Sequence, residues 1–128
     1  MGQAMTPIAR ATALAGAASG LLAVMLAAAG AHLVPSSEAG LRSFWATALQ
    51  MHLFHSLALL ALAALADRCR PLWAGLAALA FVAGSVLFSG SLYLRALGLD
   101  VLPGPVTPAG GLLLMCGWLL AIVTFARS

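Results

Sequence analysis

The stretch LWAGLAALAFVAGSVLFSGSLYL, residues 72–94, contains no charged side chain. At 1.5 Å of rise per residue, a helix needs roughly 20 mostly apolar residues to cross a bilayer. This segment therefore reads as a membrane-spanning helix. Residues 11–33, 44–66 and 108–126 have the same character, and the connections between the four are too short to hold a soluble domain. The sequence predicts an all-α fold, an integral membrane four-helix bundle made of a single domain over residues 1–128.

Composition supports that reading. Hydrophobic residues make up 63% of the chain and charged residues 7%, whereas a soluble domain carries about 25% charged residues. Lysine is absent, and the net charge of +3 comes from arginines at the predicted helix ends. They form no basic stripe of the kind that marks a nucleic-acid surface, so no nucleic-acid partner is expected; the expected partner is the lipid bilayer. Their distribution predicts orientation instead. Arg10, Arg68, Arg70 and Arg127 lie on one side, while Arg42 and Arg95 share the other with Glu38 and Asp100. The positive-inside rule then places the N and C termini and the Arg68–Arg70 loop in the cytoplasm.

Arg10, the apolar run after it and Ala29-Gly30-Ala31 also resemble a secretory signal with a small-residue cleavage site. The run is longer than the 7–15 residues of a signal core, and it is taken as the first spanning helix. Cys69 falls in the predicted cytoplasmic loop and Cys116 within helix 4, so a disulfide is not expected. Cys116 reads as a small buried apolar residue.

Local signals mark the packing and the helix ends. Gly16 and Gly20 stand four apart in helix 1, a spacing that lets two membrane helices approach closely, here within the bundle. Gly90, Gly110 and Gly111 are assigned the same packing role in helices 3 and 4. Pro35-Ser36-Ser37-Glu38 reads as a turn leading into a short interfacial segment. Phe44 and Trp45, and Trp73 beside Pro71, stand where an aromatic belt belongs. Pro103-Gly104-Pro105 makes a rigid connection. Thr107 is placed as the N-cap of helix 4, with Pro108 at its first position.

Ionisable groups within a bilayer are rare and need a reason. His52 and His55 share a face of helix 2, about 12–17 Å below the outer boundary if that helix starts near Phe44. His32 sits at the outer end of helix 1, and Gln50 lies on another side of helix 2. Ser89, Ser91, Tyr93 and Arg95 close helix 3 on the same outer side. Such a cluster fits a transition-metal or haem site, a quinone-headgroup site or a proton relay. It fits equally a set of groups that satisfy one another, His55 bonding Ser89 or a backbone carbonyl as glue between helices. An unpaired polar group in lipid is costly enough to make that pairing the favoured reading. No carboxylate or cysteine joins the histidines at their depth, so neither a metal site nor a cofactor is predicted. Arg95 is read as reaching out to the interface. No catalytic residue is assigned, since Ser89 and Ser91 lack an oriented base.

Several segments together resemble one small family. They are Gly30-Ala31-His32, Gln50 to Leu59 with His55-Ser56-Leu57-Ala58-Leu59, Leu87-Phe88-Ser89-Gly90-Ser91-Leu92-Tyr93, Val106-Thr107-Pro108-Ala109-Gly110-Gly111, and Gly117-Trp118. In order and extent they are similar to the YgdD and transmembrane protein 256 family, known as domain of unknown function 423. The resemblance implies a four-helix, multi-pass protein of the bacterial inner membrane and brings no established activity. Carried onto this chain, the family pattern covers His32, His55, Ser89, Gly90, Ser91, Tyr93, Thr107 and Pro108. The family usually has Tyr-Gln where this chain has Met51-His52, which reduces His52, with Gln50 and Arg95, to an accessory role. The expected core of any site is then His55, Ser89, Ser91 and Tyr93, with His32 and Thr107 beside it. The expected function is non-enzymatic: a structural or oligomeric protein, or an accessory subunit of a larger membrane complex. The alternatives are a pathway for a small solute or proton, or a redox, metal- or quinone-binding protein using His32 and His55.

Overall fold

The computed structural model describes residues 4–128. Four long helices follow one another: α1 (Pro7–Leu33), α2 (Ala39–Leu65), α3 (Pro71–Ala96) and α4 (Val106–Ala126). A single 3-10 turn, Ala66–Arg68, leads out of α2, and no strand occurs among the described residues. All four helices are long and apolar enough to cross a membrane. With 27 residues each, α1 and α2 are about 40 Å long, so they outreach a hydrocarbon core of roughly 30 Å.

Three helix starts differ from the sequence expectation. The first helix begins at Pro7, capped by the Thr6 hydroxyl, which accepts the Ala9 N–H at 3.3 Å. Arg10 therefore lies in the first turn of α1. The second helix begins at Ala39, directly after the Pro35–Glu38 turn, so the expected interfacial segment is simply its first turn. The fourth begins at Val106, with Pro105 in the capping position. Thr107 is not its cap, because it lies inside the first turn with its hydroxyl turned to α3. At the end of α3, Gly98 adopts a φ of 75°. The Leu99 N–H returns to Leu94 O and the Gly98 N–H to Arg95 O, both at 2.9 Å, a Schellman closure that favours glycine there.

Each helix packs mainly on its neighbour in sequence. The α3–α4 pair is the most extensive, α1 touches α3 only slightly, and α1 and α4 share no substantial contact. The bundle is thus an open row with α2 and α3 at its centre. Thr6 N–H donates to Asp67 at 3.2 Å, and the Arg127 guanidinium stands 5.7 Å from the centre of the Trp73 ring. Both termini therefore gather at the end of the bundle that holds the α2–α3 connection.

The α3–α4 seam is built on glycine. A Cβ on Gly117 would lie 2.6 Å from the Phe81 ring, and one on Gly84 would lie 2.7 Å from Leu114. A Cβ on Gly110 would run into the backbone of Phe88. Gly111 makes only ordinary contact with the Phe88 ring, at 3.6 Å. On the other flank Gly16 lies against Leu59 and Leu60, and Gly20 just reaches Ser56. Gly90 departs from its assigned role: a Cβ there would meet nothing within 4 Å, so it packs against no helix. Trp45 is not a belt residue either. It is 6% exposed, covers Gly30 and donates its indole N–H to Leu26 O of α1 at 3.2 Å. Cys116 faces outward from α4 instead of inward, and both cysteines are free.

Candidate functional site

His52 lies midway between Ala39 and Leu65, about 20 Å from each end of α2. The early start of α2 thus moves both helix 2 histidines from the outer half of the bundle to its middle. They are buried there, with 7% exposure for His52 and 3% for His55. Three residues apart, they diverge by about 60° around the helix axis, and they join two separate systems.

His52 faces α1 and α3. Its Nδ1 lies 3.2 Å from the Tyr93 hydroxyl and its Nε2 lies 3.0 Å from Ser19 Oγ. Ser19 Oγ is 2.7 Å from Ser56 Oγ, which donates to the His52 carbonyl at 2.8 Å. Since a carbonyl only accepts, the single Ser56 proton is committed to it. Ser19 then donates to Ser56, His52 Nε2–H donates to Ser19, and Tyr93 donates to His52 Nδ1. This neutral His52 carries its proton on Nε2. Tyr93 is held in turn by the edge of Trp45, with ring centres 4.8 Å apart.

His55 faces α3 and α4. Its Nδ1–H donates to Met51 O at 2.8 Å, and its Nε2 accepts the Trp118 indole N–H at 3.1 Å. An indole only donates and a carbonyl only accepts, so this neutral ring carries its proton on Nδ1, the opposite tautomer. The Phe81 ring centre is 5.5 Å from His55 and 5.1 Å from Trp118, which closes an aromatic knot.

The remaining residues divide further. Ser89, expected beside His55, donates to Ala48 O of α2 at 2.8 Å instead. Ser91 donates to Phe88 O at 2.9 Å, so the Thr107 hydroxyl 2.6 Å away donates to Ser91 and ties α4 to α3. Arg95 pairs with Asp100 at 3.8 Å near the surface. His32 and Gln50 are exposed and enter no side-chain hydrogen bond found among the described residues. The three histidines therefore do not converge. Among the described residues no group of three or more His, Cys, Asp or Glu side chains is placed to hold a metal ion. The free lone pair of each buried imidazole is already engaged, by Tyr93 at His52 and by Trp118 at His55.

The sequence reading names Ser56 and Trp118 only within the segments that carry the family resemblance, and Ser19 and Ser85 not at all. Trp118 had a signal, since an indole N–H at mid-helix in lipid needs an acceptor. Ser56 stands four residues after His52, the spacing of a helix serine that shares its neighbour's environment. Ser19, in an alanine-rich run, had none. Between α1 and α3, with α2 as its floor, lies a partly open cavity of about 470 Å³. Ser19, His52, Ser85 and Tyr93 are the polar residues along it, with the Ser85 hydroxyl itself sealed, and Leu22, Val86 and similar residues supply its walls.

Comparison with known proteins agrees with this architecture. Residues 26–111 match the family described as a protein of unknown function, DUF423. The UPF0382 inner membrane protein YgdD of Escherichia coli strain K12 is 38% identical over 112 residues, covering 87% of this chain and 86% of that protein. The UPF0382 membrane protein YwdK of Bacillus subtilis strain 168 is 37% identical over 114 residues, covering 88% and 93%. A UPF0382 membrane protein of Schizosaccharomyces pombe is 36% identical over 118 residues, covering 84% and 94%. No solved structure matches the chain. With four helices long and apolar enough to cross a membrane and relatives aligned over most of its length, the chain belongs to the DUF423 family of membrane proteins.

Proposed function

We propose that this protein is a non-enzymatic, multi-pass protein of the bacterial inner membrane, with both termini cytoplasmic, that works through contacts with other membrane-embedded chains. The observation that carries the reading is how the polar groups within the span are used. His52, His55, Ser56, Ser89 and Ser91 each bond another helix or their own backbone, and among the described residues no nucleophile stands beside a free base. The open row adds to it, because α1 and α4 leave their outer faces to the bilayer, where a second copy or a different subunit can pack. The arginine distribution and the inner-membrane YgdD relative support the location and orientation.

A proton or solute pathway is the weaker reading. The chain of hydrogen bonds from Tyr93 through His52 and Ser19 to Ser56 turns back onto the His52 carbonyl. Toward the termini the core continues as Leu59, Leu62, Ala63 and Ala66, and no hydrogen bond among the described residues carries the chain on to the buried Thr12 or to Thr124, which bonds Leu120 O. Cross-linking in native membranes tests the main reading. Native Cys116 on α4 and Leu21→Cys on α1, the latter in a Cys116→Ala background, report the two flanks. A discrete cross-linked product at native expression is expected from at least one flank, and a protein that stays monomeric at both would overturn the reading.

A further inference from the structure

The charges of this chain divide unevenly between the two ends of the bundle. Arg42 and Arg95 share one end with Glu38 and Asp100, and Arg95 pairs with Asp100 at 3.8 Å. The other end holds four arginines: Arg10 in the first turn of α1, Arg68 in the 3-10 turn, Arg70 capping α3 and Arg127 closing α4. Its single carboxylate, Asp67, accepts the Thr6 N–H at 3.2 Å, and among the described residues none of the four arginines has an ion-pair partner. The whole net charge of +3 therefore sits at this end, exposed and uncompensated.

Two of the four stand beside one ring. The Arg127 guanidinium lies 5.7 Å from the centre of the Trp73 ring, and Arg70 caps the same helix three residues before Trp73. The ring offers no oxygen acceptor, so the planar N–H fork of Arg127 stays available for phosphate. Leu65, Leu72 and Phe125 are exposed apolar residues, each within three residues of an arginine.

We infer that this end of the bundle binds anionic phospholipid, Arg70 and Arg127 beside Trp73 holding the headgroup phosphate and the neighbouring apolar residues receiving the acyl chains. Depth selects a lipid. With 26 residues α3 is about 39 Å long and outreaches a hydrocarbon core of roughly 30 Å, so its cap reaches the layer of lipid phosphates. A soluble phosphate would meet the arginines but gain nothing from Leu65, Leu72 or Phe125. Charge selects the headgroup. An ethanolamine or choline ammonium opposes the attraction to an arginine cluster, whereas a glycerol headgroup leaves the phosphate charge unopposed. The clamp is complete within one chain, so it stands apart from any association between chains.

The full chain in neutral detergent is titrated with phosphatidylglycerol and with phosphatidylcholine of the same acyl chains, and bound lipid is counted by native mass spectrometry. Phosphatidylglycerol is expected to bind at least about tenfold tighter, with an advantage that shrinks as salt is raised. Arg70→Gln and Arg127→Gln should each weaken its binding about fivefold, the share of one arginine at an anionic surface. Arg42→Gln, at the opposite end, should leave binding unchanged. All three arginines are exposed, and an unshifted Tm of the lipid-free variants checks that the fold is kept. Equal binding of the two lipids, or an equal loss from Arg42→Gln, would overturn the assignment. Inorganic phosphate binding as tightly as phosphatidylglycerol would make this a site for a soluble anion and overturn it as well.

Discussion

The two flanks of α2 and α3 are made of similar residues and end in opposite states. On the α4 side, Phe81, Gly84 and Phe88 mesh with Gly117, Leu114 and Gly110 at near-backbone contact, and His55 is sealed by Trp118. On the α1 side, α1 barely reaches α3, and His52 borders a cavity. Glycine accounts for part of the contrast. Where it faces a bulky partner it lets helices close, and where it faces nothing, as at Gly90, it leaves room. The histidines follow their flanks, His55 closing an aromatic knot and His52 anchoring a hydrogen-bonded chain. Small residues in a membrane helix thus do not by themselves mean contact; what the neighbouring helix presents decides it.

The sharpest way to break the comparison is to place the same side chain on both flanks. Gly110→Leu drives a side chain into the Phe88 backbone and is expected to cost about 3 kcal/mol or to prevent folding. At Gly90 a Cβ would meet nothing within 4 Å, and Gly90→Leu should leave thermal unfolding in detergent unchanged or slightly improved, because the residue borders open space and glycine is a poor helix former. Equal losses at the two sites would show that the flanks do not differ in packing.

Next in size is the knot itself. His55→Ala leaves the Trp118 N–H without its acceptor and opens a hollow beside Phe81, for an expected loss of about 2–3 kcal/mol. Combined with Trp118→Phe, the loss should fall short of the sum of the two single variants, because they share one interaction. Strict additivity in the unfolding measurements would remove the knot from the account.

The smallest effect is expected at His52. Replacement by Gln keeps a donor for Ser19 and an acceptor for Tyr93 and should change stability by less than about 0.5 kcal/mol. Replacement by Leu leaves the Tyr93 hydroxyl without its acceptor and Ser19 without its donor, and should cost about 1 kcal/mol, the scale of hydrogen bonds between membrane helices. A Gln variant as impaired as the Leu variant would mean that the imidazole itself matters.

The sequence reading reached the four spans because length without charge is a property of the chain alone, as residues 72–94 illustrate. It placed the starts of α1, α2 and α4 late or on the wrong residue. Thr6-Pro7 carries the same start signal as Thr107-Pro108, but it lies ahead of the apolar run; Glu38 and Pro105 carry weak signals, and helices longer than the bilayer core extend into polar sequence. The candidate residues, picked out by their rarity, belong to several systems. Ser89 holds α2, Ser91 and Thr107 hold α4, Tyr93 serves His52, and His55 depends on Trp118. His32 stands apart on the surface of α1.

By itself the sequence determined that this chain carries four segments long and apolar enough to cross a membrane, its family resemblance and which few polar groups must find partners, because hydrophobicity and desolvation are properties of each residue wherever it packs. Tertiary structure alone decided which partner each group found, which tautomer each histidine holds and where the space lies. Those outcomes depend on how far each helix is rotated and shifted against its neighbours. A rotation of about 60°, the angle between His52 and His55, is the difference between facing a sealed seam and facing an open cavity.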